Sequence, residues 1–276
     1  MALTALRSKV ESALVGRVPA PFTYRDRKIM ETVSAGIPTV DSLAGGLPRG
    51  GLTEVCGPPC SGRTSLLLSA LASRTAEAEV CALVDGLDGF DPHAAEAAGV
   101  ELKQLLWVRC RNINQALRAT DLLLQGRGFG LIAVDLSDIP QETIRHVPLH
   151  VWFRFRRAVE DSPTVLMLLE QESNAKTCAS LVLRLGAERA HWSMPPDMSA
   201  AHFLWHPAAC LFDSLEARAE VLSCRMEPSA KEIFPAGRVE PAGIFAGKAR
   251  WGYCSGVPTY PMADQRAMAN QKPNRR

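Results

Sequence analysis

Much of what marks other functional classes is missing from this sequence. None of the eight cysteines stands in a C-x-x-C pair. That removes the zinc ribbon and the dithiol oxidoreductase, and leaves free thiols in apolar runs, as expected of a reducing cytoplasm. No run approaches about eighteen apolar residues, so no membrane span is expected. The opening MALTALRSKVESALVGRV has no apolar core followed by a cleavage site, and secretion is not expected either. An excess of one charge is also lacking. The formal net charge is +2, so bulk charge gives no argument for nucleic-acid binding.

What remains is a chain of ordinary globular balance, 47% hydrophobic and 22% charged, with enough length to bury one substantial core. Its expected organisation is a basic, partly helical lead over residues 1–30, a core over 31–225, and a tail over 226–276. The tail is rich in proline, glycine and basic residues without sustained periodicity, and reads as disordered on its own. In the lead, Leu3, Leu6, Val10 and Leu14 recur at helical spacing. That stripe suits either a helix docking on a partner or one packed on its own domain.

One stretch carries a chemical signature: Gly57-Pro58-Pro59-Cys60-Ser61-Gly62-Arg63-Thr64-Ser65. It follows the phosphate-cradling pattern G-x-x-x-x-G-K-[ST], except that Arg63 stands where lysine is required. Gly51 to Cys56 reads as a buried strand entering the loop and Ser65 to Ala72 as the helix leaving it. Such a loop points backbone N–H groups and a helix N-terminus at one place, which stabilises an anion there. Thr64 would supply the hydroxyl that ligates magnesium. About seventy residues downstream, Leu131-Ile132-Ala133-Val134 carries Asp135 to the end of a central strand, where it can hold a magnesium-bound water opposite Thr64.

The other elements follow the same logic. Val80 to Asp85 reads as a parallel strand buried on both faces, and Leu105 to Arg109 as the next strand. Asp91 caps a helix with Pro92 at its first position, Asn114 is expected to cap the next, and Gly126 to end it. A helix over 149–159 precedes a strand at 164–169. Residues 180–185 read as a further strand with 187–194 as its hairpin partner, and Leu215 to Val221 as an edge strand with one wet face, a helix being the alternative there. The alternation predicts an α/β fold, a mostly parallel central sheet flanked by helices with an antiparallel extension on the C-terminal side.

From Val33 to about residue 193 the chain resembles the core of the RecA recombinase family. The resemblance is carried by Gly45-Gly46-Leu47-Pro48-Arg49-Gly50, the phosphate loop, Val84-Asp85 with Asp91-Pro92, Ile132 to Asp135, and Glu170-Gln171 followed by Ala179 to Arg184. It implies a RecA-like P-loop core, with ATP and magnesium as cofactors. It also implies that Gln171 is the residue that senses the terminal phosphate. The departures fall on the chemistry. Arg63 replaces the phosphate-binding lysine with a broader, planar head. Leu87 stands where the family places the glutamate that polarises water, so the general base has no owner unless the neighbouring Asp88 substitutes. Both DNA-binding loops are short: only Glu172 to Thr177 follow Gln171, and the loop after Asp135 carries Asp138 and Glu142 in place of a cationic run.

Together these losses resemble the ImuA family of RecA-like mutasome components. That resemblance implies an accessory protein of the DNA damage response, with no ATPase activity or a weak one. It would scaffold an error-prone translesion complex with an ImuB-type polymerase relative and a replicative-type polymerase, and RecA is a further partner it suggests. DNA binding would be weak or indirect, and a homo-oligomer could complete a site that looks broken in one chain. The alternative is an active DNA-dependent ATPase of the recombinase class. A P-loop kinase lacks an identifiable acceptor site. Among isolated features, His202 and His206 stand four apart without the acidic motif of a zinc enzyme. Arg154, Arg156 and Arg157 read as a solvated face beside Trp152 and Phe155, or as phosphate contacts. Cys60 is a loop thiol, reactive only if its thiolate is stabilised. Lys248 to Tyr253 interleaves cations with aromatics, as does a stacking surface for single strands.

Overall fold

The computed structural model describes residues 30–193, 211–225 and 242–248. In chain order these form β1 (Thr32–Val33), α1 (Pro38–Ala44), β2 (Leu47–Pro48), β3 (Gly51–Cys56), α2 (Arg63–Ala76), β4 (Cys81–Asp85), α3 (Pro92–Ala97) and β5 (Leu105–Arg109). They continue with α4 (Ile113–Gly126), β6 (Leu131–Asp135), α5 (Gln141–Arg145), α6 (Leu149–Glu160), β7 (Val165–Glu170), β8 (Leu181–Ser193), β9 (Leu211–Cys224) and β10 (Ala242–Lys248). The N-terminal stripe from Leu3 to Leu14, His202, His206 and the segment after Lys248 lie outside the described residues.

Eight strands form one sheet in the order β10-β9-β8-β3-β7-β6-β4-β5. From β8 to β5 every pairing is parallel, while β9 and β10 add on antiparallel. The central parallel strands are buried on both faces because helices cover both, while β5 at the edge is partly exposed. Along β7, Val165, Met167 and Leu169 enter one core with Leu66, Leu67, Ala70 and Leu71 of α2. Leu166 and Leu168 enter the other, with Trp152, Phe155 and Val159 of α6. This is the expected mostly parallel α/β sheet with an antiparallel extension.

Several local expectations are met. Asp91 caps α3 by accepting from the His93 amide at 2.9 Å, with Pro92 following. Others are corrected. The cap of α4 is Asn112, whose Oδ1 accepts from the Gln115 amide at 3.0 Å; Asn114 lies within the first turn. Residues 187–193 do not fold back on 180–185. They continue β8, whose antiparallel partner is β9. Leu215 to Val221 is not an edge: β10 pairs along it from Ala242↔Glu220 to Lys248↔Ser214. The tail therefore returns one strand to the sheet, and Phe245 is buried there at 6% exposure.

Candidate functional site

The parallel register brings the candidate residues to one end of the sheet. Cys56, the last residue of β3, pairs with Glu170 of β7; Leu169 pairs with Asp135 of β6; and Asp135 pairs with Asp85 of β4. The loops leaving these strands thus share one rim, the end at which ligands bind in open α/β sheets.

The phosphate loop is built as its glycines require. A Cβ on Gly57 would collide with the Leu185 carbonyl and with Ser61. Gly62, which caps α2, has φ +92° and lies where a Cβ would stand 2.9 Å from Ala217 and 3.4 Å from the Phe245 ring. The first amides of α2 have no intrahelical partner, and Ser61 Oγ is buried with no hydrogen bond. Pro58, Pro59 and Cys60 are exposed, Cys60 as a free thiol at φ +60°. This backbone fits a phosphate.

The side chains fit it less well. Arg63 is 7% exposed, and its Nη1 donates to the Glu170 main-chain oxygen at 2.7 Å. Burial lowers its pKa, opposed by the charges of Asp135 and Asp138. The guanidinium is therefore engaged as a strut between α2 and the end of β7. Thr64 and Ser65 follow it on the first turn of α2, Thr64 exposed and Ser65 half-buried. Asp135 Oδ1 accepts from the Ser137 amide at 2.9 Å and from the Ser137 hydroxyl. Burial raises its pKa, and the Ser137 hydrogen bonds resist that rise. Thr64 and Asp135 would be the residues to hold magnesium, which would neutralise phosphate charge.

Leu87, at the position of the missing base, is 42% exposed. Asp88 is fixed elsewhere, at φ +64° with both carboxylate oxygens on Arg109, each at 2.5 Å. Arg109 holds its pKa down, while Arg109 itself stacks 5.0 Å from the Trp107 ring centroid. A carboxylate with a lowered pKa and a bound guanidinium is a poor proton acceptor. Asp85 accepts from the amides of Gly89 and Phe90 and from Trp107 Nε1, which holds this turn in place.

The two short loops are stitched together. Gln171 Nε2 donates to the Ser137 carbonyl at 3.0 Å, Gln141 Nε2 to Asn174 Oδ1 at 3.2 Å, and Arg145 pairs with Glu172. The arginines of α6 are partly spoken for: Arg154 pairs with Asp121 of α4, and Arg156 reaches the Thr177 carbonyl at 3.5 Å. Trp152 and Phe155 take the core side, as expected.

Sequence reasoning missed two residues. Glu54 of β3 and Glu170 of β7 are both 0% exposed on the sheet face that meets α6. Glu54 accepts from Ser173 Oγ at 2.7 Å and from the amides of Asn174 and Ala175 at 2.5 and 2.9 Å. Glu170 Oε2 accepts from Asn174 Nδ2 at 2.6 Å. The available signal was an acidic residue inside a strand otherwise read as buried, which demands a partner.

Comparison with known proteins agrees with this geometry. Residues 20–144 match the RecA N-terminal domain family, a span that includes the phosphate loop and Asp135. The chain is 38% identical to the Protein RecA of Synechocystis sp. over 107 residues, covering 38% of this chain and 30% of that one. It is 40% identical to that of Cutibacterium acnes over 112 residues, covering 38% and 32%. With that of Acinetobacter baumannii it shares 33% over 136 residues, covering 49% and 39%. The chain thus spans about a third of the length of the curated relatives it matches, 30% to 39%. From its glycine loop to the strand ending at Asp135, the core of this chain is RecA-like.

Proposed function

We propose that this chain is a RecA-fold accessory protein of the DNA damage response, of the ImuA kind. In this reading it scaffolds an error-prone translesion assembly of an ImuB-type polymerase relative and a replicative-type polymerase, with RecA as a further partner. Its nucleotide binding is weak or vestigial, and its ATPase activity absent or weak. The observation that supports this most is the state of the catalytic positions. Arg63 is bonded to the Glu170 carbonyl, Leu87 carries no acid, and Asp88 is bonded to Arg109. The stitched loops add to it, because a loop held by its neighbours is poorly suited to wrap a DNA strand.

A second reading, a DNA-dependent ATPase whose base comes from a neighbouring copy, is favoured by the intact backbone of the phosphate loop. One experiment separates the two: ATP affinity and turnover of the purified protein, with and without single-stranded DNA. The accessory reading expects weak binding and no DNA-stimulated turnover. Substantial DNA-stimulated hydrolysis that disappears in Asp135→Ala would overturn it.

A further inference from the structure

We propose that Glu54 and Glu170 hold one proton between them, that this proton clamps the segment from Gln171 to Ala175 onto the sheet, and that its loss to solvent releases the segment.

The geometry begins with the strands. Glu54 pairs with Leu168 and Cys56 with Glu170, so the two glutamates are diagonal neighbours on one face of adjacent parallel strands. Asn174 bridges their carboxyl groups, its amide donating to Glu54 at 2.5 Å and its Nδ2 to Glu170 at 2.6 Å. Both are excluded from water. Two ionised carboxylates in such a place repel strongly, and one of them takes up a proton.

The hydrogen bonds say which one. Ser173 Oγ serves one oxygen of Glu54, and the amides of Asn174 and Ala175 serve the other, as suits a carboxylate. Glu170 is served by Asn174 alone, through its Nδ2 and its main-chain amide, and the Glu170 Oε1 is buried without a donor. A proton on Glu170, directed at Glu54, completes the set. Burial first, and the Glu54 charge second, raise the Glu170 carboxyl to about 8.

No nearby charge replaces the proton. On β3, Cys56 is a thiol whose pKa is raised chiefly by burial. On β8, Arg184 stands opposite Cys56 in the register and acts on that thiol. Beyond the loop, Cys178 is raised by burial, with Arg156 and Arg225 acting on it. From α6 the face receives Trp152 and Phe155. Arg63 reaches the Glu170 carbonyl, not its carboxyl.

The strands are fixed by their ladders, whereas the polar ties of Ser173, Asn174 and Ala175 to this face run through the carboxyl pair, with Gln141 on Asn174 and the burial of Ala175 as the remaining anchors. When the proton leaves, relief of the repulsion requires water, and water reaches the pair by displacing these three residues. Gln171, bonded to the Ser137 carbonyl at the rim, begins that segment.

The test needs no nucleotide and so stands apart from the proposed function. Amide hydrogen exchange at Asn174 and Ala175 is measured from pH 7 to 9 in the native protein and in Glu170→Gln. Intrinsic exchange accelerates about tenfold per pH unit. We expect the native protein to exceed that slope and Glu170→Gln to follow it, with the two amides protected throughout. Equal slopes would overturn the proposal. Should Glu170→Gln fail to fold, the carboxyl carbon shifts of the native protein decide. One glutamate titrating with a midpoint near 8 sustains the proposal, and completion of all glutamate titrations below about pH 5 overturns it.

Discussion

Arg63 and Glu170 are joined across the phosphate loop: the guanidinium donates to the main-chain oxygen at 2.7 Å, and that oxygen also receives the Gly57 amide at 3.3 Å. The cation supplied by the loop is therefore spent on the protein itself. A planar, multi-donor head can do this, whereas an ammonium is a point charge on a flexible stem.

Arg63→Lys is accordingly expected to tighten Mg·ATP binding by about tenfold, roughly 1.4 kcal/mol. It should cost about 1–3 kcal/mol of stability through the lost charged hydrogen bond. A fluorescent ATP analogue and urea unfolding measure the two effects. Weaker binding in Arg63→Lys would show that the guanidinium itself is the phosphate contact. Adding Leu87→Glu changes an exposed side chain, so stability should move by no more than about 0.5 kcal/mol. Turnover is expected only when both substitutions are present.

Phe245→Ala should destabilise the fold by about 3 kcal/mol, the usual cost of emptying a buried aromatic site. Phe245 and Ala217 pack against Gly62, so nucleotide affinity should fall in the same variant. Removal of residues 226–276 is expected to do both as well, because β10 goes with them. Thermal unfolding of the two variants provides the check, and an unchanged midpoint in both would show that β10 contributes nothing to the core.

Stability should depend on pH in a direction set by Glu170. Its folded pKa, about 8, lies above the ordinary glutamate value of roughly 4.3. Between those values the folded state holds the extra proton. The Glu170 contribution to stability is therefore full below about pH 4.3, falls by up to about 1.4 kcal/mol per unit as pH rises, and is gone past about pH 8. Asp135, also raised by burial, adds to the slope in the same direction. Urea midpoints from pH 5 to 9 should fall in the native protein and stay nearly flat in Glu170→Gln. Parallel curves would mean that Glu170 is ionised throughout.

The sheet end was legible in the sequence because its signals are local. Val84-Asp85 and Val134-Asp135 are apolar runs that stop at a carboxylate, and Asp91-Pro92 is a cap with its first residue. What could not be read locally depended on which strands are neighbours. Glu54 and Glu170 are 116 positions apart and meet only because β3 lies beside β7. The engagement of Arg63 has the same origin. Position 87 was legible as an absence, while the capture of Asp88 by Arg109 required the pairing of β4 with β5. Strand β10 escaped notice because Ala-Gly-Ile-Phe-Ala-Gly-Lys offers two glycines and no alternation.

The packing of Phe245 on Gly62 also orders events in time. The phosphate loop begins near residue 57, yet the ring that backs its cap glycine arrives nearly two hundred residues later. Contacts of such long sequence separation form late, since the intervening chain must first be closed. During synthesis, then, the parallel sheet can assemble while the loop still lacks its final support. Competence to hold a phosphate should be acquired as one of the last steps of folding, when β10 settles beside β9.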